Sequence, residues 1–319
     1  MNGTLKTVYM GTPEFAVEPL RVLLENGCNI VAVVTAPDKP AGRGRELKQS
    51  EIKQFATEHS LPVLQPEKLR DGDFIETLKS LNADLFLVVA FRMLPETVWS
   101  MPPKGTVNLH ASLLPDYRGA APVNHAVING ETVTGLTTFL ISREIDTGEI
   151  LLQRKVEIGS DETAGELHDR LMTAGASLLL ETVERIESGD VKPFPQPEIP
   201  NLHPAPKLFR ETCEIDWNLP VEQVRNLVRG LSPYPGAWHE LKSGDKSLQI
   251  KILKASADCG KTANEPAGTV CSNGKSFLKI ACSDGFLNVE ELQPQGKKAM
   301  PVKAFLAGFR DISLYHSGK

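Results

Sequence analysis

Leu85-Phe86-Leu87-Val88-Val89-Ala90 is apolar without interruption. A strand with one wet face alternates apolar and polar residues, so an unbroken run marks a strand buried on both faces, as in a parallel sheet covered by helices. Ile30–Thr35, with its VVT ending, reads the same way, and Lys6–Met10 and Thr106–His110 are further short strands. Between them Glu14–Glu25, Ser50–Glu58 and Asp73–Leu81 space their apolar residues helically; Phe74, Leu78 and Leu81 share one face. Thr134–Ile141 and Ile150–Ile158 add strands, and Thr163–Glu187 is a long helix rich in Leu and Ala. Right-handed crossovers make this alternation an α/β fold with a doubly wound, mostly parallel sheet.

The texture then changes. Residues 193–206, PFPQPEIPNLHPAP, hold six prolines. Proline fixes φ and removes a donor, so the stretch is extended and semi-rigid, as a linker would be. Beyond it lie one helix, Val221–Gly230, and short β-like runs (SLQIKILKA, GTVCS, SFLKIACS, FLNVEELQP) separated by Ser-Gly-Asp, Ser-Asn-Gly and Ser-Asp-Gly turns. Closely spaced hairpins of this kind build a small β-barrel. The expected organisation is a first domain over 1–190, a Pro-rich linker over 191–207 and a second domain over 208–319.

Composition agrees with two domains and excludes several classes. The chain has 319 residues, 41% hydrophobic and 24% charged, with a net charge of −5. About 150 residues per domain gives two. No apolar stretch reaches the roughly 18 residues that span a bilayer, and the opening MNGTLKTVYMG lacks a signal-peptide core. The five cysteines form no C-x-x-C pair, which fits reduced thiols rather than a disulfide frame or a zinc site. A cytoplasmic protein of bacterial type, without membrane contact or metal, is expected. From Lys207 onward there are 16 Lys/Arg against 12 Asp/Glu, whereas the first 206 residues carry 19 against 28. A basic last third hints at a polyanionic partner, although ordinary surface charge gives the same number.

The familiar phosphate and nucleophile motifs are absent: there is no G-x-x-x-x-G-K-[ST], G-x-S-x-G or H-E-x-x-H. The first strand runs into Met10-Gly11-Thr12-Pro13, with one glycine where a dinucleotide fingerprint has three, which argues against a nicotinamide dehydrogenase. The stretch with chemistry is Val107–Pro122, VNLHASLLPDYRGAAP. Residues two apart on a strand share a face, so Asn108 and His110 project together, at the carboxyl end of a parallel strand where this architecture binds ligands. Downstream, Asp146 in Ile145-Asp146-Thr147-Gly148-Glu149 lies in a turn between strands. Amide, imidazole and carboxylate together can run an acyl transfer without a covalent intermediate, one holding an oxyanion, one managing a proton, one orienting the imidazole. Structural roles compete: Asn-x-His occurs on ordinary strands, and Asp before Thr-Gly is a common turn residue.

The sequence resembles the methionyl-tRNA formyltransferases, the tRNA-modifying branch of the formyl-folate transferases, over nearly its whole length. The matching pieces are MGTPEFAV (10–17), DKPAGRGRELK (38–48), NLHASLLPDYRGAAP (108–122), IDTGEI (145–150), the IDW of Ile215–Trp217 and QPQGKKAM (293–300). The resemblance implies a first domain that takes the formyl group of 10-formyltetrahydrofolate and passes it to the amino group of methionine on initiator tRNA, with no metal. It places the catalytic amide, imidazole and carboxylate on Asn108, His110 and Asp146, and the folate-contacting run on Ser112, Leu113, Leu114 and Pro115. It implies that the second domain is an OB-like barrel and that the loop 38–48 enters the acceptor stem. Arg43, Arg45, Lys48, Lys207, Lys297 and Lys298 are then the tRNA-contacting cations. Nothing in the sequence demands a dimer, so a monomer is expected.

The chain departs from the family's pattern beside the site. Ala90–Pro95 replaces glycine-containing text in a folate-side loop, and Ile141–Ile145 replaces versions with Met and Gly. Neither change removes a candidate catalytic group. Competing readings are a formyl-folate transferase acting on a ribonucleotide or sugar amine, and a catalytically silent tRNA-binding protein. The basic loop and second domain oppose the first, and the intact Asn, His and Asp oppose the second.

Overall fold

The computed structural model describes residues 4–41, 46–259 and 265–317. They pack as two compact units. One gathers the chain up to Gly119 with Val133–Glu157 and His168–Pro204; the other gathers Ala120–Thr132, Ile158–Leu167 and the chain from Ala205 onward.

In the first unit, strands β1 (Thr7–Gly11), β2 (Ile30–Val34), β5 (Val63–Leu64), β6 (Leu85–Val89), β7 (Thr106–His110), β8 (Val133–Leu140) and β9 (Ile150–Glu157) form one sheet in the order β5-β2-β1-β6-β7-β8-β9. The five strands from β5 to β7 are parallel and β8 runs antiparallel to β7. The winding reverses between β1 and β6, the topological switch point at which such sheets bind ligands beyond their carboxyl ends. A separate hairpin joins β3 (Lys39–Ala41) to β4 (Glu46–Lys48).

Both faces of the sheet are covered, as the unbroken apolar run predicts. Val8, Met10, Ala32, Val34, Phe86 and Val88 pack with Phe74 and Leu78 of α3 (Gly72–Ser80) and Val98 of α4 (Glu96–Trp99). On the opposite face Leu109 and Leu136 lie against Gly175 of the long helix α6 (Ala164–Ser188). The buried Tyr9 hydroxyl donates to the Ala16 carbonyl, just before α1 (Val17–Glu25), at 2.7 Å. Two helices start at readable caps: Ser50 accepts from the Lys53 amide at the head of α2 (Glu51–Glu58), and Asp71 from the Phe74 amide at the head of α3.

The second unit contains α5 (Pro122–Ile128), α7 (Val221–Gly230), and a sheet of β10 (Ala237–Ser243), β11 (Lys246–Asp258), β12 (Val270–Ser272), β13 (Leu278–Ala281), β14 (Phe286–Pro294) and β16 (His316–Ser317). Their order is β12-β13-β14-β11-β10-β16, all antiparallel, and a bridge from Thr269 to His316 brings the outer strands together. The result is a near-closed OB-like barrel. Its core holds Trp217, Val224 and Val228 with Ile250, Ile252, Ile280, Leu287 and Leu292. The short β15 (Met300–Pro301) pairs with β14 and leads into α8 (Val302–Gly308).

Candidate active site

Strand β7 ends at the site. Because Leu109 faces α6, Asn108 and His110 face the other way. Asn108 is half-buried, and its side-chain amide bonds to no other described residue. His110 is 7% exposed, with its ring edge-on to Phe139 of β8 at 6.4 Å. Its Nε2 lies 2.9 Å from the Tyr117 carbonyl oxygen. A carbonyl only accepts, so Nε2 carries the proton and Nδ1 is the atom left to gain or lose one. Nδ1 lies 3.9 Å from Asp146 Oδ2, beyond hydrogen-bond length but within Coulombic reach.

Asp146 is held through its carboxylate from the loop after Ser112–Pro115. Its Oδ2 accepts the Gly119 amide at 2.9 Å, and its backbone sits at φ +55°, a left-handed conformation that Asp tolerates better than most side chains. The glycine of the Asp-Thr-Gly run has a steric reason: a Cβ on Gly148 would stand 1.6 Å from the Leu140 carbonyl oxygen.

The loop Ser112–Pro115 hangs on one side chain of β8. The Thr137 hydroxyl donates to the Ser112 carbonyl at 2.7 Å and accepts from the Leu114 amide at 3.1 Å and from Gln153 Nε2 at 3.0 Å. Gln153 Nε2 also reaches the Leu114 carbonyl, and Ser112 Oγ bonds the Asp116 carbonyl. Leu113 lies over Gly135, where a Cβ would come within 2.4 Å of it. Thr137, Gln153 and Tyr117 escape sequence reading: the first two look like ordinary strand residues, and Tyr117 acts through its backbone.

The strands flanking the switch point carry further polar groups. Thr12 Oγ1, just past β1, and Arg92 Nε, just past β6, are buried and bond to no described residue. The other Arg92 nitrogens donate to the Pro66 and Glu67 carbonyls, and burial pushes its guanidinium below the usual pKa. In the departure at 90–95, Ala90 itself adopts φ +48°.

The candidate tRNA-contacting cations are scattered. Arg43 and Arg45 lie outside the described residues. Lys48 is exposed and pairs with Glu51 at 3.0 Å, next to the base of the hairpin, where Asp38 pairs with Lys53 at 2.6 Å. In the second unit Lys207, Lys297 and Lys298 are exposed. Lys207 lies over the Phe209 ring, and Arg210 stacks on Trp238 at 4.7 Å. Gln249 accepts from the Arg210 guanidinium with its side chain and from the Gln295 amide with its carbonyl. The segment after Lys207 and the turn bearing Lys297 and Lys298 therefore meet at Gln249.

Comparison with known proteins matches residues 5–183 to the family described as Formyl transferase and residues 207–310 to Formyl transferase, C-terminal domain. A methionyl-tRNA formyltransferase of Bacteroides fragilis is 52% identical over 308 residues, covering 96% of this chain and 95% of its own. A second, of Parabacteroides distasonis, is 53% identical over 320 residues, with 98% of each chain covered. Among solved structures, an N-formyltransferase from Helicobacter canadensis, in complex with folinic acid and dTDP-3-aminofucose, has a TM-score of 0.62. It covers 90% of this chain and 98% of its own at 21% identity, a likeness of fold.

Proposed function

The chain belongs to the methionyl-tRNA formyltransferase branch of the formyl transferase family, and from that premise we propose how its residues serve the reaction. The enzyme transfers the formyl group of 10-formyltetrahydrofolate to the amino group of methionine on initiator tRNA. The observation that carries this reading is an identity of about half over nearly the whole chain, second domain included.

The folate supplies an electrophilic formyl carbon. The unpartnered Thr12 hydroxyl and Arg92 Nε at the ends of β1 and β6 suit a ligand rich in ring nitrogens and carboxylates, and the Thr137-braced loop Ser112–Pro115 is assigned to its contact. The amine is itself the nucleophile, so no Ser or Cys is required. Asn108 offers its amide N–H to the developing oxyanion, a contribution typically of about 10²–10³ in rate. His110, fixed by Tyr117, takes the amine's proton at Nδ1, the atom facing the Asp146 carboxylate; the tetrahedral intermediate then breaks its bond to folate N10, which takes up that proton and leaves as tetrahydrofolate.

We assign formyl transfer to residues 1–190 and tRNA contact to the loop 38–48 and the barrel from 208, joined by 191–207. Arg43, Arg45, Lys48, Lys207, Lys297 and Lys298 supply phosphate contacts, which give affinity and salt dependence rather than sequence readout. A monomer in the cytoplasm fits this work. No described helix is long and apolar enough to cross a membrane, and all five cysteines are free thiols. The test offers methionine-charged initiator tRNA and glycinamide ribonucleotide as parallel acceptors. Transfer to the tRNA alone is expected; transfer to the small amine alone would keep the site chemistry and remove the tRNA assignment.

A further inference from the structure

The Pro-rich stretch that reads as a linker is fastened to the loops that hold His110 and Asp146. Phe194 pairs with Ile150 at the start of β9, amide to carbonyl in both directions, at 2.8 and 3.0 Å. Gln196 Nε2 donates to the Asp146 carbonyl at 2.8 Å and to the Gly148 carbonyl at 2.9 Å. Gln196 Oε1 accepts from Arg118 Nη2 at 2.6 Å and Nε at 3.2 Å. Farther along, the His203 carbonyl accepts the Tyr117 amide at 2.8 Å, and the His203 amide donates to Asp116 at 2.6 Å. The stretch thus touches both neighbours of the imidazole, the turn bearing Asp146 and the residue whose carbonyl receives Nε2.

We propose that Gln196 is a positioning residue for formyl transfer, with Arg118 as its support. A carboxamide offers two N–H groups and one carbonyl oxygen, and here both ends are engaged. The two tethered carbonyls belong to one tight turn whose first residue, Asp146, is left-handed at φ +55°. A conformation of that kind persists where its surroundings hold it. Arg118 brings a positive charge onto Oε1, which strengthens the donors at the other end of the amide. Gln196 stands between Pro195 and Pro197. Those rings restrict the backbone to extended conformations before binding, so little entropy is lost in holding the side chain there. Without Gln196 the turn loses both tethers, and the Asp146 carboxylate no longer keeps its place opposite His110 Nδ1.

The inference rests on the function proposed above, so wild type and variants are assayed together on charged tRNA and on glycinamide ribonucleotide. Gln196→Met keeps the side-chain volume and removes every hydrogen bond; Gln196→Glu keeps an acceptor for Arg118 and loses the donors to the turn. We expect both to lower kcat by about 10- to 100-fold, as small misplacements of reacting groups do. KM for the folate and Kd for charged tRNA should stay within about twofold of wild type. A Gln196→Met enzyme with wild-type kcat overturns the proposal. So does full rescue by Gln196→Glu, which would leave only the Arg118 contact as relevant. If either variant fails to fold, Arg118→Ala decides on the same kcat and KM readouts, with unchanged kcat counting against. A wild-type enzyme active only on the small amine would sink the tRNA assignment, and the comparison of Gln196 variants on that amine would still decide this one.

Discussion

His110 donates an Nε2–H hydrogen bond to the backbone carbonyl of Tyr117, seven residues along the chain, at 2.9 Å. The partner is main chain, so no substitution at Tyr117 removes the acceptor, and the tautomer is set by the path of the loop. Nδ1, the atom facing Asp146, is thereby the ring nitrogen left for the proton transfer proposed above. His110→Ala should cost about 10²–10⁴ in kcat, the usual range for a general base. Binding of charged tRNA, measured by filter retention, should not change. Turnover equal to wild type would remove the imidazole from the mechanism.

Thr137 makes a different prediction, because its hydroxyl bonds the loop Ser112–Pro115 and Gln153 and not Asn108, His110 or Asp146. Thr137→Val keeps the shape and removes three hydrogen bonds. The Leu114 amide and Ser112 carbonyl then lose a partner in a buried setting, at about 1–3 kcal/mol by the cost of unsatisfied polar groups. Urea denaturation should show the loss, and KM for the folate should rise more than kcat falls. A rise in KM for tRNA alone would contradict the folate-side assignment of this loop.

These two residues also show what the sequence can and cannot disclose. His110 is visible because strand periodicity places it beside Asn108, and both local steps, the strand and the face, are short-range. Helix starts at Ser50 and Asp71 are legible for the same reason. Thr137 and Gln196 work through contacts 25 and 50 residues away, to backbone atoms that carry no residue identity, so no local pattern marks them. Strand β10 is obscured differently. Its inward residues are Ala237, His239 and Leu241, and a buried histidine breaks the apolar alternation. The β3–β4 hairpin lies inside a stretch whose glycines read as loop.

Ala90 occupies a left-handed backbone position, φ +48°, directly after β6. A Cβ there costs about 1–2 kcal/mol, while glycine gives back part of that gain through its looser unfolded state. Ala90→Gly should therefore be neutral or stabilising by up to about 1 kcal/mol, the reverse of the usual effect of glycine at a strand end. Thermal unfolding measures it. A clear drop in Tm would mean that the methyl group is needed for packing.

The thiols should separate by burial. Cys259 is exposed, while Cys213 and Cys282 are buried. Burial pushes the Cys28 thiol up to about 11 and that of Cys282 up to about 12, so at pH 8 both remain protonated and unreactive. An aromatic disulfide reagent at pH 8 should label Cys259 rapidly in the native enzyme. Cys213 and Cys282 should react only in denaturant. Rapid native labelling at Cys282 would show that the barrel opens on the timescale of the assay.

The basic surface of the barrel makes the most separable prediction. Lys297 and Lys298 sit in the turn after β14, which is shaped by the Lys297 amide on the Pro294 carbonyl and by Gln293 Nε2 on the Lys297 carbonyl. Both contacts are made by the Lys297 backbone, so replacing the two lysines by glutamine leaves the turn's hydrogen bonds in place. A lysine that neutralises a phosphate releases about one counterion, so each contact adds about one to the slope of log K against log salt. The double variant should bind charged tRNA more weakly at low salt, and its slope should fall by about two. Transfer to a small amine, if any is measurable, should be untouched, because both lysines belong to a different unit from Asn108, His110 and Asp146. An unchanged slope would move the phosphate contacts elsewhere on the barrel, with Lys207 and Arg210, on the far side of Gln249, the next pair to replace.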